Sequence, residues 1–134
     1  MLITRETDYA LRILRALSDG KLRTAGTLAR EHDIPQAFGY KILKKLEQAG
    51  FIVILRGADG GCRLKADLAQ VTLYDLLQQV EGNSDICACM AYQQDCPWRN
   101  AHGGCSIHSH LSIIQQKLND ELRAHCLAEL MERI

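Results

Sequence analysis

A mostly α-helical fold with one small β-hairpin follows from three features of the sequence. Apolar residues recur at helical spacing through most of the chain. The one compact β-branched run, Phe51-Ile52-Val53-Ile54-Leu55, is followed at once by a cluster of glycines. The composition is that of a globular chain, with 47% hydrophobic and 24% charged residues among 134. At this length roughly two-thirds of the unfolded surface can be buried without covalent staples. No apolar run approaches the roughly 20 residues that a spanning helix needs. Arg5, Glu6, Asp8, Arg12 and Arg15 interrupt the amphipathic N-terminus too often for a signal peptide, so a cytoplasmic protein with no membrane contact is expected.

The first helix begins at Thr4 or Thr7 and runs to Leu17. Ala10, Ile13, Leu14 and Leu17 form its apolar stripe, and Ser18-Asp19-Gly20 ends it. Thr24 is the N-cap of a short second helix that turns Leu28 and Ala29 inward. After a tight connection through His32, Asp33 and Ile34, Pro35 belongs to the first turn of a third helix, where a missing N–H does no harm. Phe38, Ile42, Leu43 and Leu46 are its core face, and Gly50 is its C-cap. The strand 51–55, a mobile tip containing Gly57, Gly60 and Gly61, and a return strand Cys62-Arg63-Leu64 complete a winged helix-turn-helix domain over residues 1–66.

A connecting helix follows within residues 67–82. Thr72 caps it with Asp75 in its first turn, Leu73, Leu76, Leu77 and Val80 form its apolar face, and Gly82 stops it. Residues 83–105 lose periodicity and form a cysteine-rich loop with Pro97, Gly103 and Gly104. From Ser106 onward, Ile107, Leu111, Ile114, Leu118, Leu122, Cys126 and Leu130 recur every three or four residues. This spacing predicts one helix over 106–134, about 40 Å long at 1.5 Å per residue. One small domain cannot cover that stripe, so a partner helix in a homodimer is expected. The alternative is a helix folded back on its own domain.

The net charge of zero hides an asymmetry. Residues 1–65 hold twelve Lys/Arg against seven Asp/Glu, and residues 66–134 hold four against nine. A basic half in a neutral protein suits a polyanion. In a helix-turn-helix the second helix of the pair enters the major groove. Here it turns Gln36, Ala37, Tyr40, Lys41 and Lys44 outward, with Lys45 nearby. Gln reads adenine bidentately, and Tyr and Lys reach base, sugar or phosphate. Arg56 and Arg63 on the hairpin suit a phosphate or a narrow minor groove. Double-stranded DNA is therefore the expected partner. Against an enzyme stand the lack of a thioredoxin-like Cys-X-X-Cys, of a glycine-rich nucleotide loop and of paired carboxylates. A small redox protein using the cysteines is the reading from another class.

Several stretches together resemble a known family. They are Leu2-Ile3-Thr4 through Tyr9-Ala10-Leu11, Ile34-Pro35 through Lys41-Ile42-Leu43, Ala49-Gly50-Phe51-Ile52, Arg56-Gly57-Ala58-Asp59-Gly60-Gly61, and Val71-Thr72-Leu73 through Val80-Glu81-Gly82. In this order they resemble the Rrf-two family of bacterial winged helix-turn-helix transcriptional regulators, the group of IscR, NsrR and CymR. The resemblance implies a homodimer on a palindromic operator, with Arg56 of the wing in or near the minor groove, and a repressor as the usual role. It also implies, as in several members, three cysteines before the long helix that hold an iron–sulfur cluster. This sequence departs from the pattern at Cys62, where an aromatic usually follows the wing glycines, and at Gly39, where a larger apolar residue is common. The cysteine spacing is also wider, with six residues between Cys89 and Cys96 and eight between Cys96 and Cys105, and Cys87 is additional.

Soft thiolates from a flexible loop suit an iron–sulfur cluster, whether 2Fe-2S or 4Fe-4S. Cys96 and Cys105 belong to every assignment, with Cys89 or Cys87 as the third ligand. The fourth is the other of that pair, or His108 one turn beyond Cys105, or Asp8, which stands where the resembling nitric-oxide sensor supplies a carboxylate from its partner subunit. Zinc would accept the same Cys and His atoms, and cluster-free thiols would serve an oxidation sensor. Cys62 and Cys126 read as ordinary buried cysteines, and His32 as a surface or cap residue.

Overall fold

The structure, a computed structural model, describes residues 3–91 and 93–132. The N-terminal two residues of the expected winged domain, Tyr92 in the cysteine segment and the last two residues of the expected long helix lie outside the described residues.

Helix α1 (Arg5–Leu17) starts where Thr4 takes an extended conformation and its hydroxyl accepts a hydrogen bond from Glu6 N. Helix α2 (Ala25–Glu31) is capped in the same way by Thr24, which accepts from Thr27 N at 3.1 Å. Asp33 takes the left-handed conformation that sharpens the turn into α3 (Gln36–Gln48). Pro35 stands just before the first helical residue rather than inside the first turn. At the other end Gly50 has φ +80°, and Phe51 N closes back on Leu46 O at 2.9 Å, which only a glycine does without strain.

Strands β1 (Ile52–Leu55) and β2 (Gly61–Leu64) pair antiparallel, with Ile54 opposite Cys62 and Val53 opposite Arg63. At Gly61 a Cβ would lie 2.7 Å from Arg23 O, so glycine is required for β2 to bond Arg23 at the neighbouring residue. Those bonds run from Cys62 N to Arg23 O and from Arg23 N to Cys62 O. Cys62, the departure from the usual aromatic, is buried in the core at the base of the wing.

Helix α4 (Leu73–Val80) opens with a reciprocal capping box between Thr72 and Asp75. One apolar core joins these elements. Tyr9, Ala10, Ile13, Leu14 and Leu17 of α1 meet Leu28, Ile34, Ile42, Leu43 and Leu46, with Phe51, Ile52, Leu76 and Val80 closing the sides. Phe38 is a correction to the expected core face. It is 44% exposed, its ring lying 6.0 Å from that of Tyr9. The buried positions of α3 are Gly39, Ile42, Leu43 and Leu46, a three-four spacing that leaves Phe38 one position off the inward stripe.

Residues 83–105 hold more local structure than expected. A 3₁₀ turn spans Ala88–Met90, and α5 spans Pro97–His102, with Pro97 in its first position and Gly103 left-handed at its end. Helix α6 (Ser106–Ala124) is 19 residues long, and the single helix expected over 106–134 is interrupted. His125 and Cys126 are extended, and α7 (Leu127–Met131) follows. The break has a physical cause. Leu73 N donates to His125 O, Leu127 N to Val71 O and Ala128 N to Leu68 O, so the chain leaves the helix without leaving its backbone groups unpaired. Leu127 then reaches full burial in the core. The last part of the expected dimer stripe is thus folded back on its own domain. Cys126 is half-buried rather than buried.

Candidate functional site

The exposed side of α3 carries the expected set. Gln36, Ala37, Tyr40, Lys41 and Lys44 are all exposed, because the inward stripe of the helix consumes Gly39, Ile42, Leu43 and Leu46. Arg63 points outward from β2, and Arg56 lies exposed at the start of the glycine tip. Among the described residues neither arginine nor Lys44 is ion-paired. Lys41 is engaged: its Nζ meets Glu6 Oε1 at 2.5 Å, while Lys45 Nζ meets Glu6 Oε2 at 2.6 Å and Val80 O at 2.7 Å. The two lysines, Lys41 foremost, hold the Glu6 carboxyl below its usual range against the opposing effect of burial. Glu6 had no sequence signal as a clamp, since its partners lie 35 and 39 positions away.

Glu81 closes the same joint. Its Oε1 accepts from Thr4 N at 3.0 Å, from the Thr4 hydroxyl at 2.7 Å and from the Thr7 hydroxyl. Burial opposes its charge, and these bonds outweigh that opposition, so its carboxyl also sits below the usual range. Asp8, one of the alternative fourth ligands, is held in its own chain by a forked pair to Arg12 at 2.9 and 3.3 Å. Arg12 in turn donates to His32 O, so His32 serves as a cap at the end of α2.

The cysteines open successive helical pieces. Cys87 precedes the 3₁₀ turn, Cys96 precedes α5 and Cys105 precedes α6. All are half-buried and none is in a disulfide. Cys87 Sγ and Cys89 Sγ lie 3.2 Å apart, and Cys105 Sγ accepts from His108 N at 3.4 Å. The Cys89 thiol is pushed up, first by its hydrogen bond with Cys87, then by burial, with the charges of Cys87 and Cys105 adding to it. Arg99 of α5 bridges toward the start of α6, with Nη1 3.1 and 3.2 Å from the two ring nitrogens of His108, and Nη2 donating to Gln94 O.

Four free thiols beside a histidine fit an iron–sulfur cluster in donor chemistry. As they stand, no three Cys, His, Asp or Glu side chains among the described residues are grouped to hold one ion. The structure brings Cys87 and Cys89 together and Cys105 toward His108. It does not gather Cys96 or Asp8 to either.

Residues 3–133 match the model of the Rrf2 (Rrf-two) family, described as an iron-dependent transcriptional regulator. Protein aau3 of Rhizobium meliloti (strain 1021) is 28% identical over 135 residues, covering 98% of this chain and 86% of that protein. Among solved structures, CymR, the global cysteine regulator of B. subtilis, superposes with a TM-score of 0.70 at 18% identity, covering 98% of this chain and 96% of that one. IscR of T. potens does so with a TM-score of 0.65 at 14% identity, covering 98% and 86%. At these identities the structures speak for the winged-helix fold. With the match running over nearly its whole length, the chain belongs to the Rrf2 family of DNA-binding transcriptional regulators and is not an enzyme.

Proposed function

We propose that this protein is a cytoplasmic homodimeric repressor that binds a palindromic operator, with its DNA affinity set by an iron–sulfur cluster. Cys96, Cys105 and either Cys89 or Cys87 would hold the cluster, with the other of that pair, His108 or Asp8 as fourth ligand. A 2Fe-2S and a 4Fe-4S cluster both suit this donor set, and when bound such a group supplies reversible electron and ligand exchange. What the chain itself does is more specific. Gln36 and Tyr40 face the major groove, Lys44, Arg56 and Arg63 neutralise phosphates, and Glu6 holds Lys41 until a phosphate replaces it.

The observation that carries this reading is the seat of the cysteine segment. The 3₁₀ turn packs on α6, α6 packs on α4, and α4 packs on both α1 and α3. Whatever orders residues 83–105 therefore bears on the recognition helix. Dimerisation is supported by the outer face of α6, where Ile107, Ile113 and Ile114 are all more than half exposed.

The 3.2 Å contact between Cys87 and Cys89 favours a second reading, a cluster-free thiol sensor. In that case the two thiols give two electrons and two protons to hydrogen peroxide, which leaves as two waters, and a disulfide forms. An absorption spectrum of anaerobically purified protein, with iron, sulfide and zinc assayed on the same sample, separates the readings. Broad bands near about 400 nm with matching iron and sulfide support the cluster. Colourless protein with one zinc per chain, or with none and a peroxide-sensitive operator affinity, replaces it by the zinc or thiol reading. Equal operator affinity of loaded and cluster-free protein would refute regulation by the cluster. Ile114→Asp should give monomers in sedimentation without unfolding the chain.

A further inference from the structure

The hydrogen bonds that seat the cysteine segment converge on one side chain. Gln115 lies on the inner side of α6 and is 7% exposed. Its Oε1 accepts from Ile86 N at 2.7 Å, and its Nε2 donates to Ser84 O at 2.8 Å and to Asn119 Oδ1 at 2.9 Å. Ser84, equally withdrawn from water, donates to Asn119 Oδ1 and accepts from Gln78 Nε2 of α4, both at 3.0 Å. Residues 84–86 are thus clipped by α6 on one side and by α4 on the other, and Cys87 follows directly.

The far end of α4 is clasped as firmly. Lys45 donates to Val80 O, Glu81 takes the bonds from Thr4 and Thr7, and Glu6 joins Lys45 to Lys41 on the DNA-facing side of α3. A continuous set of polar contacts and one rigid helix therefore links the backbone just before Cys87 to a lysine of the recognition helix. At this end the side chains of Gln115 and Ser84 are out of water, so a bond lost by either leaves a buried polar group unpaired, and the segment has a reason to move as a unit.

We infer that Gln115 is a positioning residue that couples the conformation of residues 84–89 to the DNA-binding surface. The inference rests on reading residues 83–105 as the sensing segment, and it says how that segment is heard. By linkage, a state of Cys87 and Cys89 that changes DNA affinity implies that DNA changes the state of those cysteines, and this reciprocal effect needs no cluster to be observed.

The test is the alkylation rate of Cys87 and Cys89 by iodoacetamide, read by mass spectrometry on reduced, metal-free, full-length protein, with and without excess duplex DNA at low salt. With iodoacetamide dilute enough that the segment opens and closes many times before each reaction, the rate reports the opening equilibrium, and wild type should show a DNA-dependent rate, changed by about five-fold or more if the coupling is of ordinary size. Gln115→Leu should still be retained on DNA, yet react at one rate with and without it. A DNA-independent rate in wild type, or the full DNA effect in Gln115→Leu, overturns the inference. Should Gln115→Leu fail to fold, Ser84→Ala removes one hydroxyl of the same set and should shrink the DNA effect; an undiminished effect there counts against the coupling. Iron and sulfide assays stand apart. A chain that takes up no cluster but loses its DNA-dependent alkylation in Gln115→Leu refutes the cluster and keeps the coupling. A cluster-bearing chain with DNA-independent alkylation does the reverse.

Discussion

In residues 3–82 the interior is apolar and continuous: α1 alone contributes Tyr9, Ala10, Ile13, Leu14 and Leu17 to it, and every helix there except α3 has a side-chain cap at its start. In residues 83–124 the balance is reversed. The longest helix, α6, buries only Gln115 and Leu122, while Ile107, Ile113 and Ile114 face outward. The first region is held by area removed from water, which is indifferent to small changes of geometry. The second is held by directed bonds and carries an uncovered apolar face, so its stability depends on partners and on state. A sensing segment is expected on the second kind of scaffold and a DNA-reading helix on the first.

The largest effect should come from breaking that contrast directly. Leu14 is fully buried, and Leu14→Ala should lower unfolding free energy by about 2–5 kcal/mol in denaturant titration, the usual range for such a cavity. Ile107→Ala, at 69% exposure, should change the stability of the monomeric chain by less than about 0.5 kcal/mol. Comparable losses at both sites would mean that α6 shares the core after all.

The same contrast explains what could be read in the amino acids. The stripe of α1, the Thr72-to-Asp75 capping box and the Gly50 stop are local, and the structure keeps all three. The outward set on α3 was legible because polar residues fill the positions that the core leaves over. Phe38 was misplaced because an apolar residue at the edge of a helical stripe looks the same as one inside it. Between Ala124 and Leu127 the apolar period runs on unbroken, so nothing local announces the corner at His125. That corner is made by Val71 and Leu73, more than 50 positions earlier. Gln115 was passed over for a similar reason: its partners Ser84 and Ile86 are 31 and 29 positions away. Helix α5, at six residues, is too short to show a period.

On the DNA-reading side, Gln36→Ala should weaken operator binding by about 1–3 kcal/mol if its amide pairs bidentately with a base. Lys44→Ala should instead weaken all sequences alike and reduce the salt slope of binding by about one. An unchanged base preference in Gln36→Ala would move the readout to Tyr40 or to the wing. A smaller gain is expected from Gly39→Ala. The site is helical, and the added Cβ would meet Ile34 Cγ2 at 3.7 Å, an ordinary contact, so stability should rise by about 1 kcal/mol. A loss there would show that the recognition helix needs close approach at this point.

The smallest effect belongs to the corner where the two regions meet. His125 Nε2 lies 2.9 Å from Glu121 of α6 and its Nδ1 3.5 Å from Glu129 of α7. The Glu121 carboxylate foremost raises the imidazole above its ordinary value of 6.5; burial opposes it, and Glu129 adds to the rise. A group bound more tightly when protonated contributes stability that is fully present below its unfolded pKa and is lost as pH rises through the folded one. The difference in urea midpoint between wild type and His125→Asn should therefore be widest below pH 6.5 and close above it. Salt should shrink it, since the pairs are exposed. A pH-independent difference would assign the corner to its backbone bonds alone, to Leu73 and Val71. The fold-back of α7 would then be set by the winged domain, whatever the charge on the histidine.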